Sequence, residues 1–257
     1  MAFLPAARAD FGASAETLSL RRFKWLIGVA LLPLCWVLVE TFLVLLQADT
    51  LAARYWQSPE FAAFGLGCFA WMVLFFGFRN RAMIWLYVAG HELTHALFVL
   101  IFRGRVSQIH ISSGGGHILT DRNNFVISLS PYFFPFYTAV AIIVWTILEW
   151  VLRETGPLNP VWLCGSIGFT WMFHLTFTLW MIRRDQPDVE QNGRLFSFTV
   201  IFLTNLLLIC AMLIFASPTA TFVGFGLSLW ENAASFGTRL VESLREMIAL
   251  GRDWLRG

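Results

Sequence analysis

Two histidines and a glutamate stand close together in the segment His91-Glu92-Leu93-Thr94-His95. His91 and His95 are four residues apart, so on an α-helix their side chains share one face, one turn apart. Two imidazoles placed in this way can bind one zinc ion, and Glu92 lies beside the first of them, where it can act as a general base on a water. The spacing therefore predicts a zinc site with Glu92 as the catalytic residue.

The residues around this motif are apolar, which strengthens the prediction that the motif binds a metal. An ionised side chain in the middle of a membrane helix costs roughly 2.5–3.5 kcal/mol. Such residues persist mainly when they are paired, bind a metal or face a wet cavity. A polar cluster that only forms hydrogen bonds between helices is the alternative to a metal site.

A catalytic zinc site also needs a third protein ligand and one open position. The candidates are Asp188, expected just before the sixth apolar stretch, and His174, within the fifth. Asp188 could instead cap a helix, and His174 could instead form a hydrogen bond to a neighbouring helix. His110 and His117 fall in a polar connection, where solvated side chains are more typical than ligands.

The composition predicts a membrane protein. Hydrophobic residues make up 58% of the chain and charged residues only 13%, whereas about a quarter of the residues in a soluble domain are charged. A helical span needs about 20 mainly apolar residues. Six stretches qualify or nearly qualify, and we expect an all-α polytopic fold with about six transmembrane helices: Trp25 to Leu46, Phe61 to Phe78, Met83 to Phe102, Tyr132 to Leu152, Val161 to Ile182 and Leu195 to Ala216. The net charge of +2 gives a nucleic-acid partner no electrostatic support.

Two segments outside these stretches carry patterns of their own. Between Arg103 and Ser130, alternating apolar residues surround a glycine-rich turn, which predicts a short β-hairpin after the zinc helix. From Phe236 to Leu255, apolar residues share one helical face and arginines lie elsewhere, which predicts an amphipathic helix on the membrane surface. We therefore expect one transmembrane domain, residues 1–216 with its core at 83–216, and a C-terminal interfacial segment, residues 217–257.

The segment Gly90-His91-Glu92-Leu93-Thr94-His95-Ala96-Leu97, set in a membrane helix, resembles the zinc motif of the site-2 protease family, the M50 metallopeptidases. The similarity is greatest to compact bacterial members that lack an inserted PDZ domain, and it covers roughly residues 87–208. The further segments that carry it are Gly115-Gly116-His117, Asn124 to Leu129, Pro131-Tyr132-Phe133-Phe134-Pro135, His174, Gln186-Pro187-Asp188 with Gly193 and Phe196, and Asn205-Leu206.

This resemblance implies an intramembrane zinc metalloprotease of the bacterial inner membrane. It implies Zn²⁺ bound by His91, His95 and Asp188, Glu92 as the catalytic residue, and His174 as an oxyanion donor, a support for a ligand or an alternative ligand. The family's aspartate stands in a Leu-Asp-Gly context, whereas Asp188 lies between a proline and a valine. A zinc-binding membrane protein without proteolytic activity, such as an inactive homologue, a scaffold or a transporter, is therefore the alternative function.

A protease of this kind acts on membrane proteins or peptides within the lipid bilayer. The substrate must present an extended backbone, because a helix hides its carbonyl groups. An exposed strand edge in the predicted hairpin could bind such a segment by β-augmentation. A plain connecting loop is the alternative interpretation of the same residues.

Overall fold

The computed structural model of the chain describes residues 18–53, 55–78, 80–154, 156–184, 186–217 and 219–254. Leu255, the expected last residue of the amphipathic helix, lies outside them. Within the described ranges the fold is mostly helical, and the helices are α1 (Leu18–Ala53), α2 (Pro59–Phe78), α3 (Arg81–Ile101), α4 (Phe125–Phe133), α5 (Phe136–Val151), α6 (Pro160–Ile182), α7 (Pro187–Asn192), α8 (Arg194–Ala216) and α9 (Phe222–Trp254). The strands are β1 (Val106–Ser112) and β2 (Gly115–Thr120).

The long apolar helices give the chain the character of a membrane protein. In the described part of the chain, four helices are long and apolar enough to cross a membrane, namely α1, α2, α3 and α8. The count becomes five if α4 and α5 together form one bent span. The expectation of a polytopic helical protein is thus confirmed at this coarser level.

The predicted fourth span, Tyr132 to Leu152, differs from the structure. The chain forms two helices here. The first, α4, ends at Phe133, the second, α5, begins at Phe136, and their axes differ by 71°. Pro135 occupies the position before the first residue of α5 and has no N–H to donate, while Phe134 before it is extended, as a residue before proline prefers. Because the apolar run continues through this break, hydropathy alone merges the two helices.

The predicted fifth span, Val161 to Ile182, corresponds to α6. At 23 residues, α6 is long enough to cross a membrane, yet it is not among the helices that are also apolar enough. Its sequence contains several tryptophans, threonines and glycines and a histidine where the other spans have aliphatic residues. The six expected spans therefore exceed the four or five that length and composition support.

The C-terminal helix is longer than expected, because it begins at Phe222 rather than at Phe236. The Thr221 hydroxyl accepts a hydrogen bond from the backbone N–H of Gly224 and so caps its first turn. Helix α8 ends at Ala216, the expected last residue of the sixth span, and Ser217 follows it directly.

The chain divides into two compact units, whose boundaries fall inside α1 and α8. The second unit comprises Ile27–Tyr55 and the residues from Phe202 onward. Within it, Leu38 packs against Leu203 and Leu206, and the Arg239 guanidinium donates to both carboxylate oxygens of Glu40 at 2.8 Å.

The first unit holds the helices that carry the candidate site. Its core is an aromatic cluster in which Trp71 of α2, Tyr87 of α3 and Phe177 of α6 are buried together. The close approach of α2 and α6 requires glycine, because a Cβ atom on Gly168 would lie 2.1 Å from the carbonyl oxygen of Phe64. Tyr87 and Val88 of α3 pack into the same cluster.

The predicted hairpin is confirmed. Strands β1 and β2 pair antiparallel, with Ser112 opposite Gly115 at the turn and an irregularity near Val106. Ile118 is buried against Val99 of α3 and Ile127 of α4. One face of the hairpin therefore covers the helix that carries His91 and His95.

Candidate metal centre

Helix α3 places His91, Glu92 and His95 in the interior of the first unit. The Asn80 side chain accepts a hydrogen bond from the backbone N–H of Met83 and caps the start of α3. His91 and His95 lie one turn apart on this helix, and their Nε2 atoms are 3.2 Å apart. The helical spacing alone thus brings the two imidazoles together.

Asp188 comes from a different element, the short helix α7. This helix begins at Pro187 and ends before Gly193, whose φ of +85° lets the chain turn into α8. The Asp188 Oδ2 atom lies 3.4 Å from Nε2 of His91 and 3.5 Å from Nε2 of His95. The structure therefore brings together the three residues that the sequence named as ligands, and α7 rather than a simple loop holds the aspartate.

The three donor atoms fit a zinc ion. Zn–N and Zn–O bonds of about 2.0–2.1 Å at tetrahedral angles require donor atoms about 3.3–3.4 Å apart. The observed edges of the triangle are 3.2, 3.4 and 3.5 Å. Two imidazoles and one carboxylate are also a donor set that zinc accepts, and a triangle of donors leaves the fourth corner of the tetrahedron open.

Hydrogen bonds orient both imidazoles toward the same point. Nδ1 of His95 lies 2.8 Å from the carbonyl oxygen of Ile127. Because a carbonyl oxygen only accepts, Nδ1 carries a proton, so in the neutral ring the lone pair lies on Nε2, where it can bind a metal. Nδ1 of His91 lies 3.3 Å from the Tyr87 hydroxyl, which can accept from it in the same way.

The carboxylate of Asp188 is held by a buried tyrosine. Tyr132 is fully buried, and its hydroxyl donates to Oδ2 of Asp188 at 3.2 Å. Burial raises the pKa of this carboxyl, but the adjacent imidazoles of His95 and His91 outweigh burial and hold the pKa well below its usual range. Asp188 is therefore an ionised acceptor, as a metal ligand must be.

The backbone of Asp188 is fixed by a second set of contacts. The Asn192 amide nitrogen donates to the Asp188 carbonyl oxygen at 3.0 Å and to the Ser128 hydroxyl at 2.7 Å. That hydroxyl donates to the same carbonyl oxygen at 3.2 Å. Lys24 donates to the Asn192 side-chain oxygen at 3.1 Å. These contacts join α7 to α4 and to the first turns of α1.

Glu92 is buried beside this cluster, with a relative exposure of 6%. Strand β2 passes so close that a Cβ atom on Gly116 would lie 2.6 Å from Cγ and 2.8 Å from Oε1 of Glu92. The hairpin therefore covers the Glu92 side chain, and glycine at position 116 is what leaves room for it.

His174 of α6 does not belong to the triangle of donor atoms. Among the described residues, the group whose ligand atoms all lie within 4.8 Å of one another is His91, His95 and Asp188. His174 is buried and lines a small cavity that also reaches His91, Thr94 and Tyr137. The cavity has a volume of about 20 Å³, which is enough for roughly one water. The geometry thus favours Asp188 over His174 as third ligand.

Several of these supporting residues were not predicted from the sequence. Tyr87 is four residues before His91, and Asn192 is four residues after Asp188, so helical spacing could have identified both. Tyr132 and Ser128 lie about 60 residues before Asp188 along the chain, and no local pattern connects them to it.

Comparison with known proteins gives no match: no protein-family model, curated protein or solved structure is similar enough to place the chain in a family.

Proposed function

We propose that this chain is a zinc metalloprotease that hydrolyses peptide bonds of membrane-associated substrates. The observation that carries the proposal is the triangle formed by the Nε2 atoms of His91 and His95 and Oδ2 of Asp188, with Glu92 buried next to it. This arrangement has the three ligands, the open position and the adjacent carboxylate that hydrolysis requires.

The residues of the chain would divide the work as follows. Zinc, when bound, supplies a Lewis acid that polarises the substrate carbonyl and acidifies a water. Glu92 accepts a proton from the attacking water and then donates a proton to the leaving amine. His174, across the small cavity from His91, is the residue of the chain that we assign to hydrogen-bonding the developing oxyanion.

The hairpin is the proposed binding site for the substrate backbone. Within the described residues the sheet has only two strands, so each strand has one edge available to pair with an extended segment. Strand β2 contacts Glu92 at Gly116. A peptide paired along this hairpin would pass close to the carboxylate that acts on it.

We also propose six membrane crossings, in which α4 with α5 forms one span and α6 forms another. Ser128 near the start of α4 forms a hydrogen bond to Asp188 of α7, so these two segments lie at one depth. The chain between them must then cross an even number of times, which two spans satisfy. In the same arrangement the second half of α9 is an amphipathic helix on the membrane surface of the bacterial inner membrane, since its Leu240, Leu244 and Met247 side chains are exposed.

Zinc content and cleavage, measured on the same purified variants in detergent, test the proposed function. Glu92→Gln should retain the zinc ion of the candidate centre and lose cleavage of a membrane substrate, because it removes the base and leaves the ligands. His91→Ala, His95→Ala and Asp188→Ala should each bind one equivalent of zinc less than wild type, whereas His174→Ala should bind as much as wild type.

Two results would contradict the proposal. Unchanged zinc in His91→Ala or His95→Ala would remove these residues as ligands. Cleavage by Glu92→Gln at the native rate would remove Glu92 as the base. A metal-binding scaffold or transporter would require the same ligands, but its function would not depend on Glu92.

A further inference from the structure

Two histidines outside the candidate metal centre face each other on the hairpin. His110 of β1 and His117 of β2 are direct partners in the antiparallel register. Their rings stack, with centres 5.3 Å apart and an angle of 27° between the ring planes. The strand pairing thus holds two imidazoles side by side.

This pair lies on the outer face of the hairpin. Successive residues of a strand point to opposite faces, and Gly116 and Ile118, on either side of His117, contact α3. His117 and its partner His110 therefore project from the other face. His110 is exposed and His117 is partly exposed, so both imidazoles are accessible.

The separation of the two rings suits a shared metal ion. An imidazole centre lies about 3 Å from a zinc ion bound by its nitrogen, so two ligands at a tetrahedral angle have centres about 5 Å apart. The observed 5.3 Å is close to that value, and binding requires the rings, now stacked with 27° between their planes, to rotate until a nitrogen of each points at the ion. For comparison, the rings of His91 and His95 have centres 4.8 Å apart.

We propose that His110 and His117 form a second divalent-metal site, which takes a late first-row ion such as Zn²⁺ or Cu²⁺ and completes its coordination with water. Neutral imidazole is a ligand that both ions accept, and Cu²⁺ binds the more tightly of the two. The site joins two strands that, as an isolated pair, would be marginally stable. An ion bound here cross-links the two strands of the hairpin, whose inner face lies against Glu92.

Zinc titration of the metal-free protein in detergent tests this site apart from the first one. Wild type should bind two equivalents, and His110→Ala or His117→Ala should bind one. His91→Ala should also bind one, and the double variant His91→Ala/His110→Ala none. Gln108→Ala, on the same strand and two residues away, is the matched control and should bind two. His110→Gln, which keeps a polar side chain without an imidazole, guards against loss of the fold.

Hydrogen exchange of the backbone amides between positions 106 and 120 gives a second readout. Zinc should slow this exchange in wild type, in His91→Ala and in Gln108→Ala, and leave it unchanged in both His110 variants. Two equivalents of zinc in His110→Ala and His117→Ala, or equal protection by zinc in His110→Gln and wild type, would overturn the second site. Failure of the first site would instead appear as undiminished zinc binding in His91→Ala.

Discussion

At the scale of single residues, the candidate centre depends on side chains that are not themselves ligands. Tyr132 is the clearest case, because its buried hydroxyl donates to the carboxylate oxygen of Asp188 that faces both imidazoles. Residues in this position orient a ligand, and removing them commonly costs about 10–100-fold in metal affinity.

Tyr132→Phe should therefore weaken zinc binding by about tenfold or more. The ring remains, so its packing against His91, with ring centres 5.4 Å apart, is kept, and only the contacts of the hydroxyl with Asp188 and, at 3.4 Å, with Gln186 are lost. Competition for zinc with a chelator of known affinity measures the change.

The matched control is Tyr137→Phe, whose hydroxyl donates to the carbonyl oxygen of Leu86 rather than to Asp188. It should leave the zinc affinity within about twofold of wild type, well short of the effect expected for a residue that orients a ligand. Equal affinities in wild type and Tyr132→Phe would show that Asp188 needs no support from this hydroxyl.

The residues that could be identified from the sequence are those with local spacing. His91, Glu92 and His95 lie within one turn of a helix, and their relation is visible in five consecutive residues. Asp188 was one of two candidates, with His174, and the resemblance to the site-2 protease family selected it as the third ligand. Tyr132, by contrast, reaches Asp188 only through the folding of α4 against α7, which a pattern along the chain does not encode.

At the scale of elements, the hairpin packs against α3 at Gly116, where there is no room for a side chain. A Cβ atom there would lie within 3 Å of Glu92 and Val88, so Gly116→Ala should displace the Glu92 side chain. We expect cleavage to fall by at least tenfold with about one equivalent of zinc retained at the candidate centre, because a misplaced base slows proton transfer without touching the ligands. Rate and zinc content are measured on the same preparation.

Gly114→Ala is the control for this change, since its added Cβ atom would meet only the Ser112 hydroxyl at an ordinary 3.7 Å. It should retain both zinc and activity. Native activity in Gly116→Ala would mean that the carboxylate of Glu92 is not held by the hairpin.

The contact between α2 and α6 offers a test of stability. Gly168→Ala adds a Cβ atom 2.1 Å from the backbone oxygen of Phe64, which cannot move without the whole helix. We expect the free energy of unfolding to fall by about 1–3 kcal/mol, as is usual for overpacking. Thermal unfolding in detergent measures it.

Gly165→Ala is the control on the same helix, three residues away. Its Cβ atom would lie 3.6 Å from the carbonyl oxygen of Ala63, which is ordinary contact. Alanine is the better helix former by up to about 1 kcal/mol, so this variant should be unchanged or more stable. Equal stability of the two variants would show that the helices separate easily.

Elements differ in how far sequence reasoning could define them. The long helices and the hairpin were predicted because apolar length and a glycine turn are local signals. The break between α4 and α5 was missed because the run stays apolar through Phe134, so only Pro135 marks the change of direction. The early start of α9 was missed because charged residues are sparse in its first turns.

At the scale of the whole molecule, the six crossings that we propose predict which side of the membrane each terminus and loop occupies. The N-terminus, the α5–α6 connection and the C-terminus should all lie on one side of the membrane, because two or four crossings separate each neighbouring pair. Single cysteines at position 2, Leu158 and Gly257, in a background with the native cysteines replaced by alanine, can be labelled with an impermeant thiol reagent.

All three positions should react from the same face of oriented vesicles. If α6 does not cross while α4 with α5 does, the label at the C-terminus will appear on the opposite face. If neither crosses, Leu158 alone will differ. Either pattern would reduce the six crossings to the four or five that apolar length supports.

The origin of the ligands in two distant segments has a consequence for biosynthesis. Both histidines of α3 are synthesised more than ninety residues before Asp188. Until α7 emerges, the nascent chain has both imidazoles but lacks the carboxylate that completes the triangle. Any activity of this centre therefore begins only after α7 has been made.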